Sequence, residues 1–170
     1  MNFRIQAVFA AISILSLCAG AQGSAQPGFE LGRSTPNPAP FSTFVGIGDG
    51  TRVHFDGNAV THLGGDGSFI QTLRVVPSFY FTGAIAADPA GDSVLMGEST
   101  NGDIYRVEMD GSGATYLATL PYNYSASYRG PGVAYVSAAV CGWACGNDII
   151  KIDTQAATAT TVAQVSGPSG

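Results

Sequence analysis

Two stretches of this chain repeat one frame at a distance of 44 residues. Residues 66–77 read DGSFIQTLRVVP and residues 110–121 read DGSGATYLATLP, so an Asp-Gly-Ser triplet, a leucine and a proline recur at matching positions. An Asp-Gly pair favours a tight hairpin turn, because glycine accepts a positive φ and aspartate accepts a hydrogen bond from nearby backbone. The closing proline cannot donate to a continuing ladder, so it ends the strand. The repeat therefore predicts that the same type of hairpin occurs twice in the chain.

The repeat belongs to a longer pattern that begins near residue 42. Short runs rich in Val, Ile, Tyr, Phe and Thr alternate with clusters of Gly, Asp and Asn, as in strands joined by turns. Periods of roughly 40 to 50 residues with four strands per unit indicate β-propeller blades. We predict an all-β, propeller-like array of about three four-stranded units, at residues 42–76, 77–120 and 121–165, within a repeat region that runs to residue 170.

A β-trefoil is the alternative fold, because it also has three four-stranded units of similar length and closes on itself. The Gln-x-Trp motif of ricin-like lectins is missing, the chain has a single Trp, and the units differ in turn chemistry. These features favour the propeller. Propellers close with about four to eight blades, so three units leave two flanks to be covered. We expect either self-association that completes a ring or a chain severed at residue 170.

Residues 83–107, GAIAADPAGDSVLMGESTNGDIYRV, resemble the repeats of NHL-type β-propellers. In those repeats a strand, an Asp-Pro-x-Gly turn and a second strand lead to an Asn-rich turn and a third strand. The matching positions are Gly83, Ala84, Asp88, Gly91, Asn101 and Ile104. They are structural in that family, so the resemblance implies a fold and no catalytic residue. Some similar propellers are metal-dependent lactonases or lyases, for which Glu98, Asn101 and Asp103 would be candidate ligands here, although these residues fit a polar turn better.

The N-terminal 25 residues have the layout of a secretory signal peptide. Arg4 precedes an apolar run that ends in small residues suited to cleavage after Ala21 or Ala25. A lipid anchor at Cys18 is the alternative, although the bulky Leu17 stands where a lipoprotein signal has a small residue. Residues 26–41 hold four prolines and form a predicted arm. We expect a secreted or periplasmic protein with no membrane segment after cleavage.

Charge excludes one class of partner. The chain has 7 Lys and Arg against 12 Asp and Glu, and loss of Arg4 leaves six basic residues. Nucleic-acid binding depends on clustered basic residues, which this chain lacks.

The sequence gives little support for catalysis, because it has no Gly-x-Ser-x-Gly elbow, no His-Glu-x-x-His motif and no phosphate loop. We expect no cofactor, and enzyme activity stays the minor interpretation.

Cys141 and Cys145 lie in the motif CGWACG. In an exported protein such a pair favours a disulfide, and the flanking glycines make the required fold-back feasible. Free thiols and a zinc site are the alternatives, but zinc needs two further ligands and the nearest His is about 80 residues away.

Two further metal hypotheses are weak. His54 and His62 flank a hairpin, where a two-residue loop places them on opposite faces of the sheet. The many Asp residues neighbour Gly or Asn, as turn residues do, instead of concentrating as in a calcium loop. We therefore predict no metal site.

Aromatic residues are concentrated in loops at one predicted end of the array. These loops join second to third strands, at 97–102 and 141–147, and one unit to the next, at 77–83 and 121–131. Such segments open on one end of a propeller, and rings beside an arginine are frequent hot spots at interfaces. The candidate ligand-binding residues are Tyr80, Phe81, Tyr122, Tyr124, Tyr128, Arg129 and Trp143. The alternative is that these rings cover seams between units. The sequence thus predicts an exported propeller-type binding or scaffold module for a protein or glycan, with a carbohydrate-binding trefoil and a metal-dependent propeller hydrolase as alternatives.

Overall fold

Twelve strands form three separate four-stranded sheets. The computed structural model describes residues 43–75, 82–99, 101–140 and 146–166, and all statements below concern these residues. The strands of the first sheet are β1 (Thr43–Gly46), β2 (Arg52–Phe55), β3 (Ala59–Leu63) and β4 (Phe69–Val75). Those of the second are β5 (Thr82–Ala87), β6 (Ser93–Glu98), β7 (Asp103–Glu108) and β8 (Ala114–Thr119). Those of the third are β9 (Asn123–Gly130), β10 (Val133–Ala138), β11 (Asn147–Asp153) and β12 (Thr158–Val165).

Each sheet is an antiparallel meander in which every strand pairs with the next in sequence. The repeated Asp-Gly-Ser triplets form the turns between third and fourth strands, as predicted. Asp66 Oδ1 accepts the Ser68 N–H at 2.9 Å, and Asp110 Oδ1 accepts the Ser112 N–H at 2.8 Å. The intervening glycines have φ values of 89° and 77°, which glycine alone adopts without strain. The repeat is therefore an architectural device.

The second sheet is packed on both faces. Its strand β6 reads SVLMGE and is buried at every position, because alternate side chains enter two different cores. Val94 and Met96 join Val53 and Phe55 of the first sheet in one core. Leu95 joins a second core against the third sheet, with Val136 and Ile152 among its members. The middle unit is thus sandwiched as a propeller blade is.

The first strands of the sheets are neighbours, with β5 touching both β1 and β9. This places the first strand of each unit innermost, and the fourth outermost. Three four-stranded antiparallel sheets in this arrangement confirm the predicted all-β, propeller-like fold. Within the described ranges no helix is long and apolar enough to cross a membrane. The predicted signal peptide (1–25) and proline-rich arm (26–41) lie outside the described residues.

The two outward flanks of the array differ in polarity. On the first sheet, Phe44, Phe69 and Val75 are 64%, 67% and 72% exposed, and strand alternation turns them away from the second sheet. On the third sheet, β12 (TATTVAQV) is exposed along its whole length and mostly polar or small. The apolar flank of the first sheet is therefore the larger unburied hydrophobic feature of the described residues.

Candidate functional site

A tightly held turn links the second sheet to the third at residues 120–124. Asn123 is fully buried and holds this turn against the second sheet. Its Oδ1 accepts the Ala84 N–H at 2.7 Å, and its Nδ2 donates to the carbonyls of Leu120 at 3.1 Å and Glu98 at 3.4 Å. One side chain therefore ties β9 to β5 and to the end of β6.

Two glycines make room for Asn123. A Cβ built on Gly83 would lie 2.0 Å from Asn123 Oδ1, and one on Gly97 would lie 2.1 Å from the same atom. Gly102 is close-packed in the same way, since its Cβ would meet Pro121 N at 2.6 Å. The seam between the second and third sheets is thus tightly packed at this end, and the turn has little freedom to shift.

Tyr122 is held in a left-handed backbone conformation by this packing. Its φ is 52°, a region that costs a non-glycine residue about 1 to 2 kcal/mol. The Tyr122 carbonyl accepts the Ala139 N–H at 3.2 Å, which fixes the turn against the end of β10. Strain of this kind persists only where the surroundings over-determine it, and it is frequent at functional sites.

Three exposed side chains lie on this braced turn and beside it. Tyr122, Tyr124 and Val140 are 41%, 42% and 43% exposed, and we call them the tyrosine surface. Tyr122 and Tyr124 flank the buried Asn123, while Val140 follows Ala139 at the end of β10. Aromatic groups on a rigid base lose little conformational entropy on binding, which suits them as interface anchors.

The structure separates the other predicted aromatic-face residues from this surface. The segment predicted as a loop at 121–131 is largely the strand β9, whose Tyr-Ser-Ala-Ser-Tyr pattern has the period of two that strands show. Tyr128 and Arg129 therefore lie at the opposite end of the strand from Tyr122. Tyr128 packs against the core between the second and third sheets, and Arg129 is exposed. Tyr80, Phe81, Trp143, Cys141 and Cys145 lie outside the described residues.

Tyr128 occupies a buried polar corner of the seam. Burial and, secondarily, the charge of Asp88 raise its pKa to about 12. The neighbouring Thr154 hydroxyl opposes this rise, although among the described residues neither hydroxyl has a partner in hydrogen-bond geometry. Asp88 itself is buried, accepting the Gly132 N–H at 2.9 Å and the Ala90 N–H at 2.9 Å. For Tyr128 the structure supports the alternative interpretation, in which the ring covers a seam.

The three candidate metal ligands of the resemblance are engaged with protein groups or exposed. Glu98 is buried and lies 3.5 Å from the Arg74 guanidinium, which stacks 3.6 Å from the Tyr105 ring centroid. Burial raises the Glu98 pKa, with Arg74 opposing that rise. Asp103 accepts the Thr119 hydroxyl at 2.9 Å, and Asn101 is exposed. The contacts of Arg74 with Glu98 and Tyr105 join the first and second sheets at their seam, whereas the Asp103–Thr119 contact lies within the second sheet.

The histidines and turn aspartates follow the sequence analysis. His54 pairs with Thr61 while Val53 pairs with His62, so the two imidazoles lie on opposite faces of the first sheet. Asp49, Asp56, Asp66 and Asp110 each accept a backbone N–H two residues ahead. The oxygen atoms of these four residues thus serve the turns.

Sequence reasoning missed two features of the site. Asn123 gives no periodic or motif signal, since its role depends on backbone groups of β5 and β6 in addition to the Leu120 carbonyl of its own turn. The backbone strain at Tyr122 gives no sequence signal either, although the Pro-Tyr-Asn context at 121–123 indicates a turn. Of the tyrosine surface, Tyr122 and Tyr124 are among the residues named from the sequence, whereas Val140 is not.

Comparison with known proteins supports the fold. No family model matches the chain, and no curated protein matches it. Among solved structures, hydrazine synthase of Kuenenia stuttgartiensis superimposes with a TM-score of 0.62 at 16% identity, over 84% of this chain and 41% of that one. The nidogen/laminin complex superimposes with a TM-score of 0.58 at 17% identity, over 76% of this chain and 52% of that one. Both contain β-propeller domains, and this chain spans about half or less of their length.

Proposed function

We propose that this chain is an exported β-propeller-type module that binds a protein partner through the tyrosine surface. The observation that carries the proposal is the strained, braced turn: Tyr122 keeps a costly φ of 52° while its ring stays 41% exposed. The ring is covered only in part by the chain, so its exposed part is available to another molecule. The conformational free energy that this backbone geometry costs is consistent with selection for presenting the ring to another molecule.

A protein partner is favoured over a small molecule by the form of the surface. Tyr122, Tyr124 and Val140 stand at the end of a sheet as exposed side chains, whereas small-molecule sites are concave. One of the similar structures was solved as a nidogen/laminin complex, which gives a precedent for this fold in a protein assembly.

The test is site-specific photocrosslinking from the protein in its native host. A benzophenone amino acid replaces Tyr122 or Tyr124, and, as matched control, Tyr116, a 51% exposed tyrosine on the outermost strand β8. We expect one discrete protein adduct from positions 122 and 124 that position 116 does not give. Equal adducts from all three positions would contradict the proposal, and adducts that a glycosidase removes would indicate a glycan ligand instead.

Export is a separate part of the proposal, supported by the layout of residues 1–25. Mass spectrometry of the protein recovered from outside the cytoplasm should show a new N-terminus after Ala21 or Ala25. Recovery of the intact N-terminus in the cytoplasm would contradict export.

The NHL-type identity of the repeats also belongs to the proposal. Its support is the turn at Asp88–Gly91, where Asp88 accepts Ala90 N–H within the turn and Gly132 N–H from the next unit. An aspartate at this position therefore serves both its own blade and the neighbouring one. The two hydrogen bonds use different oxygens of the Asp88 carboxylate. Asparagine has only one side-chain oxygen, so Asp88→Asn should weaken the contact with Gly132. Hydrogen exchange at Gly132 N–H reports that contact, and unchanged exchange would count against this role.

A further inference from the structure

The sequence places a glycan acceptor pattern on the residue that pins the seam. Asn123-Tyr124-Ser125 fits Asn-x-Ser, and no other asparagine of the chain is followed by Ser or Thr at that spacing. Used acceptors lie on the surface, because the attached sugar is bulky and needs solvent. Asn123, in contrast, is fully buried.

Both ends of the Asn123 amide are occupied in the fold. The nitrogen that would carry the sugar donates to the Leu120 carbonyl at 3.1 Å and to the Glu98 carbonyl at 3.4 Å. Glycosylation replaces one Nδ2–H by a bond to the sugar C1, while the donor's diphosphate leaves that carbon and the proton is released. One of the two hydrogen bonds is then lost, and a buried carbonyl is left without this partner.

Space is as restrictive as hydrogen bonding. Gly83 and Gly97 approach the amide so closely that a single added methyl group on either would collide with it. A sugar ring is far larger than a methyl group and cannot enter between β5, β6 and the turn without opening the seam. The side chain of Ser125 is exposed, so the acceptor pattern can be removed without touching Asn123.

We propose that a glycan on Asn123 and the closed seam between the second and third sheets are mutually exclusive. The chain then reaches its fold only along an export route that leaves Asn-Tyr-Ser unmodified. The second statement rests on the proposed export, whereas the first depends only on the contacts of Asn123. Asn123 is on this view a positioning residue, because it holds the turn that presents Tyr122 and Tyr124.

The experiment directs residues 26–170 into a glycosylating secretory pathway, such as that of yeast. Wild type is compared with Ser125→Ala, which lacks the acceptor, and with Asp110→Asn in the Ser125→Ala background. This second variant moves the acceptor to the exposed turn, where Ser112 completes the pattern. Glycan occupancy is measured by the mass lost to an endoglycosidase, in the secreted and the retained fraction separately, and folding by thermal melting.

The expected result is that a wild-type glycan occurs only in the retained fraction, with secreted yield several-fold below that of Ser125→Ala. The relocated acceptor should be secreted with its glycan and with the melting temperature of Ser125→Ala. A glycan on Asn123 in secreted protein that melts at the same temperature as Ser125→Ala would overturn the proposal.

Export into a bacterial periplasm, which does not glycosylate this pattern in standard laboratory strains, separates the two statements. There wild type and Ser125→Ala should give equal yields of folded protein. A wild type that fails there while Ser125→Ala succeeds would contradict the glycan as the cause. If neither protein folds in the periplasm, the proposed export is contradicted. The statement that a glycan on Asn123 excludes the closed seam is then tested by the experiment in the secretory pathway.

Discussion

At the scale of single residues, the turn aspartates show how the sequence becomes structure. Hydrogen bonds from the Thr51 and Ser112 side chains and backbone lower the pKa values of Asp49 and Asp110, and those from Ala156 and Gln155 backbone lower the pKa of Asp153. A lowered pKa means that the folded state binds the proton less well than the unfolded state. The stability due to these turns is therefore present above about pH 4 and is lost as the pH falls through the folded-state values.

Asp110→Asn tests this acid dependence. Asparagine keeps an oxygen that accepts the Ser112 N–H but does not titrate, so we expect nearly unchanged stability at pH 7. Between pH 4 and pH 2 the variant should lose less stability than wild type. Urea unfolding at a series of pH values measures the difference. Parallel pH profiles for the two proteins would contradict a role of this carboxylate in acid unfolding.

Tyr128→Phe tests the buried hydroxyl. The folded-state pKa of about 12 lies above the ordinary value of 10, so stability is full below pH 10 and falls as the pH rises toward 12. The variant should lose less stability than wild type across that window. At pH 7 it should match wild type within about 1 kcal/mol, because the hydroxyl has no hydrogen-bond partner among the described residues. A large loss at pH 7, measured by urea unfolding, would show that the hydroxyl stabilises the seam.

At the scale of elements, the fold depends on close contact between strands of different sheets. Gly83, Gly97 and Asn123 form one contact at the seam of the second and third sheets. Arg74 and Glu98 form another at the seam of the first and second. Because burial raises the Glu98 pKa, this carboxylate favours folding most fully below about pH 4.5 and less as the pH rises through its folded-state value. The two seams therefore differ in chemistry although both join neighbouring units.

Gly97→Ala should destabilise the protein by about 1 to 3 kcal/mol, the usual cost of overpacking a filled site. Its Cβ would lie 2.1 Å from Asn123 Oδ1 and 3.0 Å from the Ile104 Cδ1. Gly46→Ala is the matched control, since nothing lies within 4 Å of the Cβ it would add on β1. The control should be neutral or stabilising by up to about 1 kcal/mol. Equal effects of the two changes in chemical denaturation would contradict the packing of Asn123.

Tyr122→Asn separates presentation of the ring from stability of the turn. Asparagine adopts positive φ more readily than tyrosine, so the strain at φ 52° should fall. Relief of this strain opposes the loss of the ring's contacts within the chain, so we expect stability within about 1 kcal/mol of wild type and loss of any partner binding that depends on the ring. Calorimetric melting measures the first effect. A clear destabilisation would mean that the Tyr122 side chain is itself a structural support, which would remove the reason for the proposed function.

At the scale of the whole molecule, three blade-like sheets leave an apolar flank. On the first sheet, three exposed apolar side chains face away from the second sheet: Phe44, Phe69 and Val75. β-Propellers close into rings. We propose that a second copy covers this flank, because exposed apolar side chains on one sheet face favour association.

Light scattering after size exclusion of residues 26–170 should therefore show a discrete dimer at micromolar concentration. Phe44→Ser with Phe69→Ser should shift the population toward the monomer, while the matched control Tyr116→Ser should not. A wild-type monomer at all concentrations would contradict self-association.

Much of the architecture could be predicted from local patterns. The Asp-Gly-Ser turns and the alternation of short apolar runs with Gly and Asp clusters depend on interactions within a few residues, which sequence records directly. The loop predicted around Tyr128 was wrong, because small polar residues conceal strand periodicity where one face meets a seam. The opposite-face placement of His54 and His62 could be predicted, since hairpin register follows from loop length.

The sequence by itself determined the class of the fold, the strand-and-turn order and the residues that cap the turns. Tertiary structure alone decided that Asn123 bonds Ala84, Glu98 and Leu120, that Gly83 and Gly97 make room for it, and that Tyr122 is strained as a result. The physical reason is the separation along the chain of the groups that interact. Turn chemistry is fixed by neighbours in the chain, whereas a buried amide between two sheets is defined by groups up to 39 residues away, which no local pattern encodes.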